Sequence, residues 1–371
     1  MKILERTDRS IFGMWWWTVD HKLIGMLFLL IIGGIMILMS AGSPIAVNKL
    51  NLEPNYFLNK QLIFLSVSAP SMLFISMLSS VQIRRFALLG LVICLFGMMY
   101  ANFFGNDIKG ATRWITIYGF TIQPSEFAKP CFAVVNAWIL SLWLEEKSFN
   151  GWIYSVSLLI ILISILLFQP DVGMSFVIAM TWIFQIFLAG ISITVFSIIS
   201  AFILLIGFIC FACLEHVQLR VKTFLSGEGL QIEKSIEAFK NGGLFGQGFN
   251  ESTVSIYLPD SHSDFIFSVA GEELGILGAG IIIFAYVLIF WRGIILSSTS
   301  NKIFIILASS SLIFQFCFQS AIHMASTLNM IPTKGMTLPF ISYGGSSLLS
   351  SCISMGIVLA MTRKHLNWNN K

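Results

Sequence analysis

The run LIGMLFLLIIGGIMILMS at residues 23–40 decides the class of this protein, because it holds eighteen consecutive residues without a charge. A transmembrane helix requires an apolar stretch of about this length. The 371-residue chain continues the pattern, with 56% hydrophobic residues, 11% charged residues and a mean hydropathy of +0.85. Soluble domains carry about 25% charged residues. The composition therefore predicts an integral membrane protein and excludes a soluble enzyme, a secreted disulfide scaffold, a disordered regulator and a nucleic-acid-binding protein.

Hydropathy predicts ten membrane spans joined mostly by short loops, so we expect an all-α membrane protein with a single polytopic domain over 1–371. The spans lie near residues 23–41, 62–80, 86–104, 125–144, 152–168, 172–189, 191–213, 268–290, 303–322 and 343–361. Ten spans place both termini on one side. The short loops of that side carry more Lys and Arg, which predicts that it faces the cytoplasm. Its basic residues are Lys2, Arg6, Arg9, Lys22, Arg84, Arg85, Lys147, Arg292, Lys302, Arg363, Lys364 and Lys371, against Lys49, Lys60, Lys109, Arg113 and Lys334 on the other side.

Two segments on the predicted external side are longer and more polar than a simple turn. One covers residues 105–123, and the other is a large loop at 214–264 between spans seven and eight. Within the large loop, residues 227–240 have apolar side chains at helical spacing, which predicts an amphipathic helix on the membrane surface. The glycine-rich stretch at 241–248 lacks the Lys-Ser/Thr of a P-loop, so turn geometry explains it better than a phosphate cradle.

Asp264 ends the large loop and is followed at once by three large apolar residues at 265–267. A carboxylate at such a desolvated boundary tends to have a raised pKa, which suits it to proton abstraction. A helix N-cap is the alternative role, since Asp is favoured there. Asp260 is a rival carboxylate in a more polar turn.

A helix that continues from Asp264 would place Glu272 on the same face, about 12 Å away along the axis, and Glu273 on the opposite face. Two carboxylates that act on one glycosidic bond need to be roughly 5 to 9.5 Å apart. This spacing disfavours a paired-carboxylate hydrolase. A single base suffices when the leaving group is already a good one, as in a phosphate-linked donor.

Glu126 and Lys129 stand at the start of the fourth span. They either pair with each other on one helix face or line a cavity that marks a site. Arg113, in the preceding external segment, offers positive charge to an anionic headgroup.

The last external loop, at 329–345, contains two prolines and three glycines. Non-helical backbone at membrane depth is tolerated where it is buried in protein or lines a cavity. Lys334 is the sole charge in this loop, and His323 before it is either a buried polar partner or a cavity residue.

These motifs resemble the SEDS family of polytopic cell-wall glycosyltransferases, and the resemblance covers nearly all of the chain. It is carried by Arg113-Trp114, Gln123 to Glu126 with Lys129, Gln169 to Gly173, Tyr257 to Asp264, Gly271 to Gly275 and Pro332 to Ser347. The last of these stretches resembles the division branch of the family rather than the elongation branch. The start of the chain, at 8–20, is similar to alphaproteobacterial members. Ser263 departs from the family, because many members carry Thr there.

The resemblance implies the SEDS fold, with a large periplasmic loop at 214–264. It also implies an enzyme that polymerises lipid II into glycan strands at the division septum. The family's catalytic carboxylate maps onto Asp264, which would deprotonate the acceptor sugar as a general base. The candidates for substrate binding are Arg113, Glu126, Lys129, His262 and Lys334. No cofactor is assigned, and a divalent cation beside the pyrophosphate stays open.

The implied partners are lipid II or another undecaprenyl-pyrophosphate-linked glycan, a class B penicillin-binding transpeptidase and other divisome membrane proteins. The expected location is the inner membrane, with enrichment at the septum and both termini in the cytoplasm. A lipid II flippase and a non-catalytic scaffold that recruits the septal transpeptidase are the alternatives. A flippase needs charges along a whole path, whereas the polar residues identified here gather at the external ends of the spans and leave the cytoplasmic halves almost empty.

Overall fold

The structure is a computed structural model that describes residues 10–364 apart from 109–110, 118, 147, 214–217, 220, 223, 225–228 and 333–334. Most of the described chain is helical, which confirms the predicted class. The helices are α1 (Ile11–Thr18), α2 (His21–Leu50), α3 (Tyr56–Ser76), α4 (Ser80–Phe104), α5 (Pro124–Glu145), α6 (Gly151–Phe168), α7 (Val172–Leu188), α8 (Ile193–Cys213), α9 (Leu230–Gly242), α10 (Ile266–Ser298), α11 (Ile303–Thr327) and α12 (Gly345–Met361). A 3-10 turn covers Ser255–Tyr257.

Seven helices of the described chain are long and apolar enough to cross a membrane, namely α2, α3, α4, α5, α6, α10 and α11. Two shorter apolar helices, α7 and α12, lie at predicted spans as well, and α8 lies at the seventh. The positions of these helices therefore match the predicted spans. That all ten cross the membrane stays a prediction.

Contacts at the helix ends hold together the end of the bundle that lies opposite the large loop. Asp20 caps α2 by accepting the N–H of Leu23 at 2.8 Å, and it pairs with Arg292 of α10 at 2.5 Å. Arg363, just after α12, donates to the carbonyl of Leu78 in the turn between α3 and α4 at 2.9 Å. These bonds join α2 to α10, and the end of α12 to the turn between α3 and α4.

Uncharged polar side chains form a buried network in this same half of the bundle, so the expectation that it is almost empty of polar residues was wrong. Asn136 of α5 donates to Gln185 of α7 at 2.7 Å, and Ser155 of α6 donates to Asn136 at 2.7 Å. Gln185 also donates to Ser311 of α11 at 2.9 Å. Single Asn, Gln and Ser residues are easily overlooked in long apolar runs. These side chains use one another as hydrogen-bond partners, and the bonds join four helices to each other.

The external segment at 105–123 forms a small antiparallel sheet, which the sequence analysis did not predict. Its strands are β1 (Asn106–Ile108), β2 (Ala111–Ile117) and β3 (Phe120–Ile122), in the order β1-β2-β3. Residue pairs such as Thr116 with Thr121 set the register between β2 and β3. The sheet leads directly into α5 and carries Arg113 on its central strand.

Helix α10 is interrupted at Gly275, whose backbone is left-handed with φ 69°. The backbone groups that the break frees are bonded to the glycine-rich stretch at 243–248. The bonds run from Gln247 N–H to Glu272 O (3.0 Å), Gly248 N–H to Glu273 O (3.1 Å), Ile276 N–H to Gly243 O (2.9 Å) and Leu277 N–H to Leu244 O (3.2 Å). The glycines thus serve turn geometry and close backbone approach. The N–H groups of Gln247 and Gly248 bond to carbonyls of α10 inside the protein rather than to a phosphate.

Helix α9 is the amphipathic helix predicted at 227–240, but its buried face packs on protein rather than on the membrane surface. Its Ser235 hydroxyl donates to the carbonyl of Thr327 at 2.6 Å and lies 2.6 Å from the hydroxyl of Ser268. The ring of Phe239 lies 5.5 Å from that of Phe267. The large loop is therefore attached to α10 and α11 through this helix.

Candidate active site

A cavity of about 520 Å³ opens at the end of the bundle that carries the large loop. Its walls come from β2 and β3, the starts of α5 and α7, the turn at 260–264 and the loop at 335–345. Four of the six predicted site residues line it, namely Asp264, Arg113, Glu126 and His262. Its volume is within the range of sites for small ligands.

Asp264 is half-buried in a compact turn that precedes α10. The carbonyl of Asp260, whose φ is 58°, accepts the N–H groups of Ser263 at 3.0 Å and Asp264 at 2.9 Å. The N-cap position of α10 is occupied by Phe265 without a side-chain cap. Asp264 therefore does not cap the helix, and its carboxylate belongs to the cavity wall.

The loop at 335–345 lies directly beside this turn and is bonded to it. The bonds run from Tyr343 N–H to His262 O (2.9 Å) and from Ser342 Oγ to Ser263 O (2.6 Å). Gly335 is left-handed with φ 58°, and a Cβ atom placed on it would lie 3.3 Å from Oδ2 of Asp264. The loop thus approaches the carboxylate closely at a position where glycine avoids strain.

The two histidines near this loop have different surroundings. His262 lines the cavity, with its ring centroid 4.2 Å from that of Phe57 and 5.4 Å from that of Tyr343. His323 is buried in α11, where its Nδ1 lies 2.6 Å from the carbonyl oxygen of Met336. His323 is therefore a buried polar partner that holds the loop, and His262 is the histidine of the cavity.

Arg113 is held by the start of α7. Its Nε donates to the carbonyl of Gln169 at 3.0 Å, and its Nη1 lies 3.5 Å from Oδ1 of Asp171. Burial raises the pKa of Asp171 above its usual 3.8, although the nearby Arg113 charge opposes this. Asp171 lines the cavity and was missed as a site residue. A carboxylate directly before an apolar helix, within the motif at 169–173, was the available signal.

Glu126 and Lys129 pair with each other, as the simpler of their two interpretations predicted. Lys129 Nζ lies 2.8 Å from Oε2 of Glu126 and donates to Oε1 of Gln319 at 2.6 Å. Both are buried, but only Glu126 is among the residues that line the cavity. Direct contact of Lys129 with substrate stays a prediction, because in this structure it acts on the cavity through Glu126. Lys334 lies outside the described residues, and its sequence neighbour Gly335 lines the cavity.

Glu272 and Glu273 are both buried and hold the segment at 250–255. The carboxylate of Glu272 accepts hydrogen bonds from Thr253 N–H (2.9 Å), Val254 N–H (2.9 Å), Ser255 N–H (2.8 Å) and Asn241 Nδ2 (2.7 Å). Glu273 accepts from Ser252 Oγ at 2.7 Å and also from Ser40. The condition of a helix that continues from Asp264 is not met, because the helix begins at Ile266, after the turn, and breaks at Gly275.

The cavity is rich in carboxylates. Among the described residues, one basic side chain lines it, that of Arg113, and four acidic side chains line it, those of Glu126, Asp171, Asp260 and Asp264. Across the described part of the chain, no three His, Cys, Asp or Glu side chains are grouped closely enough to hold a metal ion. A dedicated cluster of these side chains therefore does not hold a cation on its own, and a divalent cation shared with the pyrophosphate of a substrate stays a prediction.

Sequence comparisons assign the chain to a known family. The FtsW/RodA/SpoVE model, described as "Cell cycle protein", matches residues 20–367. A relative from Caulobacter vibrioides, named "Probable peptidoglycan glycosyltransferase FtsW", is 38% identical over 97% of this chain and 93% of its own length. A relative of the same name from Alcanivorax borkumensis is 30% identical over 95% of both chains. The Caulobacter match agrees with the predicted alphaproteobacterial type.

Solved structures share the fold. One is a chain described under "Structural coordination of polymerization and crosslinking by a peptidoglycan synthase complex", with a TM-score of 0.77 and 23% identity over 93% of this chain and 97% of that one. Another is the Thermus thermophilus rod shape determining protein RodA, with a TM-score of 0.69 and 23% identity over 94% of this chain and 97% of that one. The chain therefore belongs to the FtsW/RodA/SpoVE family of cell cycle proteins, which is the family that its motifs resemble.

Proposed function

We propose that this protein is a peptidoglycan glycosyltransferase of the inner membrane that polymerises lipid II into glycan strands at the division septum. Its family and the names of its relatives support the reaction class. The observation that carries the mechanism is the position of Asp264. Its half-buried carboxylate lines an open cavity of about 520 Å³ at the end of the bundle that carries the large loop.

Asp264 acts as the general base in this proposal. Its carboxylate takes the proton from the 4-hydroxyl of the acceptor GlcNAc, and the oxygen attacks C1 of the donor MurNAc. The C1–O bond to undecaprenyl pyrophosphate breaks, and the pyrophosphate leaves with the bonding electron pair. A single displacement converts an α-linked donor into a β-1,4 product. Because pyrophosphate is a good leaving group, the reaction needs no second carboxylate as general acid.

Arg113 faces the leaving pyrophosphate. Its guanidinium is oriented by the carbonyls of Gln169 and Pro170 and by the carboxylate of Asp171, and each terminal nitrogen keeps one further N–H for a phosphate oxygen. Preorganised cations stabilise developing negative charge without reorganising during the reaction. Lys334 adds a second cation in this proposal, and His262, which lines the same cavity as Asp264, contacts the sugars. Lys129 contributes by fixing Glu126 at the cavity wall.

The orientation and partners follow from the same assignment. The cavity end of the bundle faces the periplasm, and both termini lie in the cytoplasm, which agrees with the excess of Lys and Arg in the short loops on the termini side. A class B penicillin-binding transpeptidase crosslinks the strands that this chain produces, and other divisome membrane proteins place the pair at the septum. The solved relative in a peptidoglycan synthase complex supports such a partnership.

The reaction is tested with the purified full-length chain, alone and with its cognate transpeptidase, in detergent micelles that contain lipid II. Micelles have no second membrane face, so a flippase produces no signal in this assay. We expect glycan strands to form, as resolved by gel electrophoresis, and to be degraded by a muramidase. Absence of strands from an intact complex would contradict the proposal and favour the flippase or scaffold.

A further inference from the structure

A second cavity, of about 320 Å³, lies at the opposite end of the bundle from Asp264. Four parts of the chain meet there: the end of α1, the start of α4, the start of α11 and the residues just after α12. Its lining includes three cationic side chains, Lys302, Arg363 and Lys364, together with Ser79 and Ser80. The proposed glycosyl transfer has no use for this cavity, because the reaction is placed at the other end of the molecule.

The charge of this cavity is positive and not neutralised by its own walls. Among the described residues that line it, none is Asp or Glu. Asp20 acts on Lys364 from nearby, but it already pairs with Arg292 at 2.5 Å. Burial raises the pKa of Asp20, but its hydrogen bonds from Arg292 and from Leu23 N–H and the charges of Arg292 and Lys364 together lower it, so this carboxylate stays ionised beside Arg292.

Arg363 anchors the site. Its guanidinium donates to the carbonyls of Leu78 at 2.9 Å and Ala360 at 3.3 Å. A guanidinium has five N–H donors, so these two bonds leave others for an anion. Burial lowers the pKa of Arg363, because its charge is partly removed from water. A bound anion would relieve that penalty.

The starts of α4 and α11 add to the positive potential. Ser79 is the N-cap of α4 and Lys302 is the N-cap of α11, and both line the cavity. The N-terminus of a helix carries a partial positive charge and favours anions. The cavity therefore combines three side-chain cations with two helix N-termini.

Helix α1 gives the mouth of the cavity side chains that are typical of a membrane–water interface. Its residues Met14 and Thr18 line the cavity, and its exposed side chains include Trp16 and Trp17. Trp is enriched where a membrane meets water, because its ring is apolar and its N–H is polar. The indole N–H of Trp15 donates to Ser76 at 2.8 Å and attaches α1 to α3. A ligand in this cavity thus has an apolar surface beside it.

We propose that this cavity binds the phosphodiester headgroup of an anionic phospholipid, with the acyl chains lying along the exposed face of α1. The three cations and the two helix N-termini select the negative phosphate, and the apolar helix selects a lipid over a free ion. Basic pockets between membrane helices are typical sites for anionic lipid headgroups.

The test is native mass spectrometry of the full-length protein in detergent, titrated with dioleoylphosphatidylglycerol or with the zwitterionic dioleoylphosphatidylcholine. The test variant is Lys302→Gln with Lys364→Gln. The control variant, Lys22→Gln with Arg85→Gln, removes the same charge from exposed residues that do not line this cavity. A third variant, Lys302→Arg with Lys364→Arg, keeps the charge. Thermal unfolding of every variant verifies that it is folded.

We expect the wild-type protein to prefer phosphatidylglycerol and the test variant to bind it about 25-fold more weakly, since each Lys beside an anionic lipid contributes a factor of about five. The control variant and the arginine variant keep the wild-type affinity. Equal losses in the test and control variants would overturn the proposal, because binding would then follow total charge. Equal binding of the two lipids, or displacement of the lipid by an excess of inorganic phosphate, would overturn it as well.

Discussion

The turn that carries Asp264 and the helix break that follows Glu273 lie on neighbouring stretches of chain, yet they use their carboxylates in opposite ways. Asp264 lines an open cavity, whereas Glu272 accepts three backbone N–H groups and one amide from the segment that it holds. Buried donors around a carboxylate fix its position and keep it charged. The two carboxylates therefore differ in their place in the fold: Glu272 holds a segment of backbone, and Asp264 lies at the wall of a cavity that a substrate can enter.

The largest effect on stability is expected from Gly275→Ala at the break. A Cβ atom there would lie 2.5 Å from the carbonyl oxygen of Leu244, and its φ of 69° is unfavourable for alanine. Neither backbone segment can move away without losing its hydrogen bonds. We expect the free energy of unfolding to fall by about 3 kcal/mol or more, measured by thermal unfolding in detergent.

The matched control for this prediction is Gly280→Ala in the same helix, where a new Cβ atom meets nothing within 4 Å. Alanine is the better helix former by about 0.8 kcal/mol, so this variant should be as stable as the wild type or more so. Similar losses in both variants would contradict the role assigned to the break.

Glu272→Gln sharpens the contrast between the two carboxylates. The amide keeps the shape of the side chain but removes the charge and turns one acceptor into a donor that faces N–H groups. Hydrogen bonds to charged groups contribute about 1.5 to 3 kcal/mol, so we expect a loss of about 2 to 3 kcal/mol of unfolding free energy. Polymerisation by the molecules that remain folded should be close to wild type. A stable but inactive Glu272→Gln protein would show that the two carboxylates are not separated in this way.

Gly335→Ala tests whether the loop at 335–345 fits against Asp264. The new methyl group would lie 3.3 Å from the carboxylate, and the left-handed backbone adds strain of about 1 kcal/mol. We expect polymerisation to fall roughly tenfold, because misplacing a catalytic group has large effects on rate. Gly119→Ala carries the same kind of strain, at φ 82°, with no atom within 4 Å, and should keep its activity. Equal activity of the two variants would rule out the contact.

The smallest effect is expected from Asp171→Asn. Burial raises the pKa of Asp171 above 3.8, so the folded state binds its proton more tightly than the unfolded state. The free energy of unfolding of the wild type therefore falls as the pH rises from 3.8 through the raised pKa. The asparagine variant has no carboxyl group to titrate at this position and lacks this fall. Asparagine is also a good N-cap. Thermal unfolding at pH 4 and pH 7.5 should show the variant gaining relative to wild type at the higher pH, by less than about 1 kcal/mol. A relative loss at pH 7.5 would contradict this sign.

The helices could be predicted well because a membrane span is a local property of about 20 residues. The break at Gly275 could not be predicted, because its backbone groups are satisfied by residues near 245 that are distant in sequence. The strands at 106–122 were missed for a different reason: they pair with their immediate neighbours in sequence, but such short strands in a polar segment have little periodicity to recognise.

The site residues also divide into those that local sequence motifs predict and those whose role depends on contacts with distant parts of the chain. Asp264, Arg113, Glu126 and His262 were identified from motifs and line one cavity. The local i,i+3 spacing allowed the pairing of Lys129 with Glu126 but did not show that Lys129 lies behind the cavity wall. Asp171 was overlooked, because its importance comes from facing Arg113 across the fold.

The central claim is that Asp264 is the base that activates the acceptor sugar, and Asp264→Asn tests it most directly. The full-length variant, with its cognate transpeptidase, is compared with wild type and with Glu251→Gln, an exposed acidic residue outside the cavity lining. Lipid II binding and thermal stability are measured on the same samples. Because general-base catalysis contributes roughly 100- to 10,000-fold, we predict that polymerisation falls at least about 100-fold while binding and stability are retained. Polymerisation by Asp264→Asn at a rate close to that of Glu251→Gln would contradict the account.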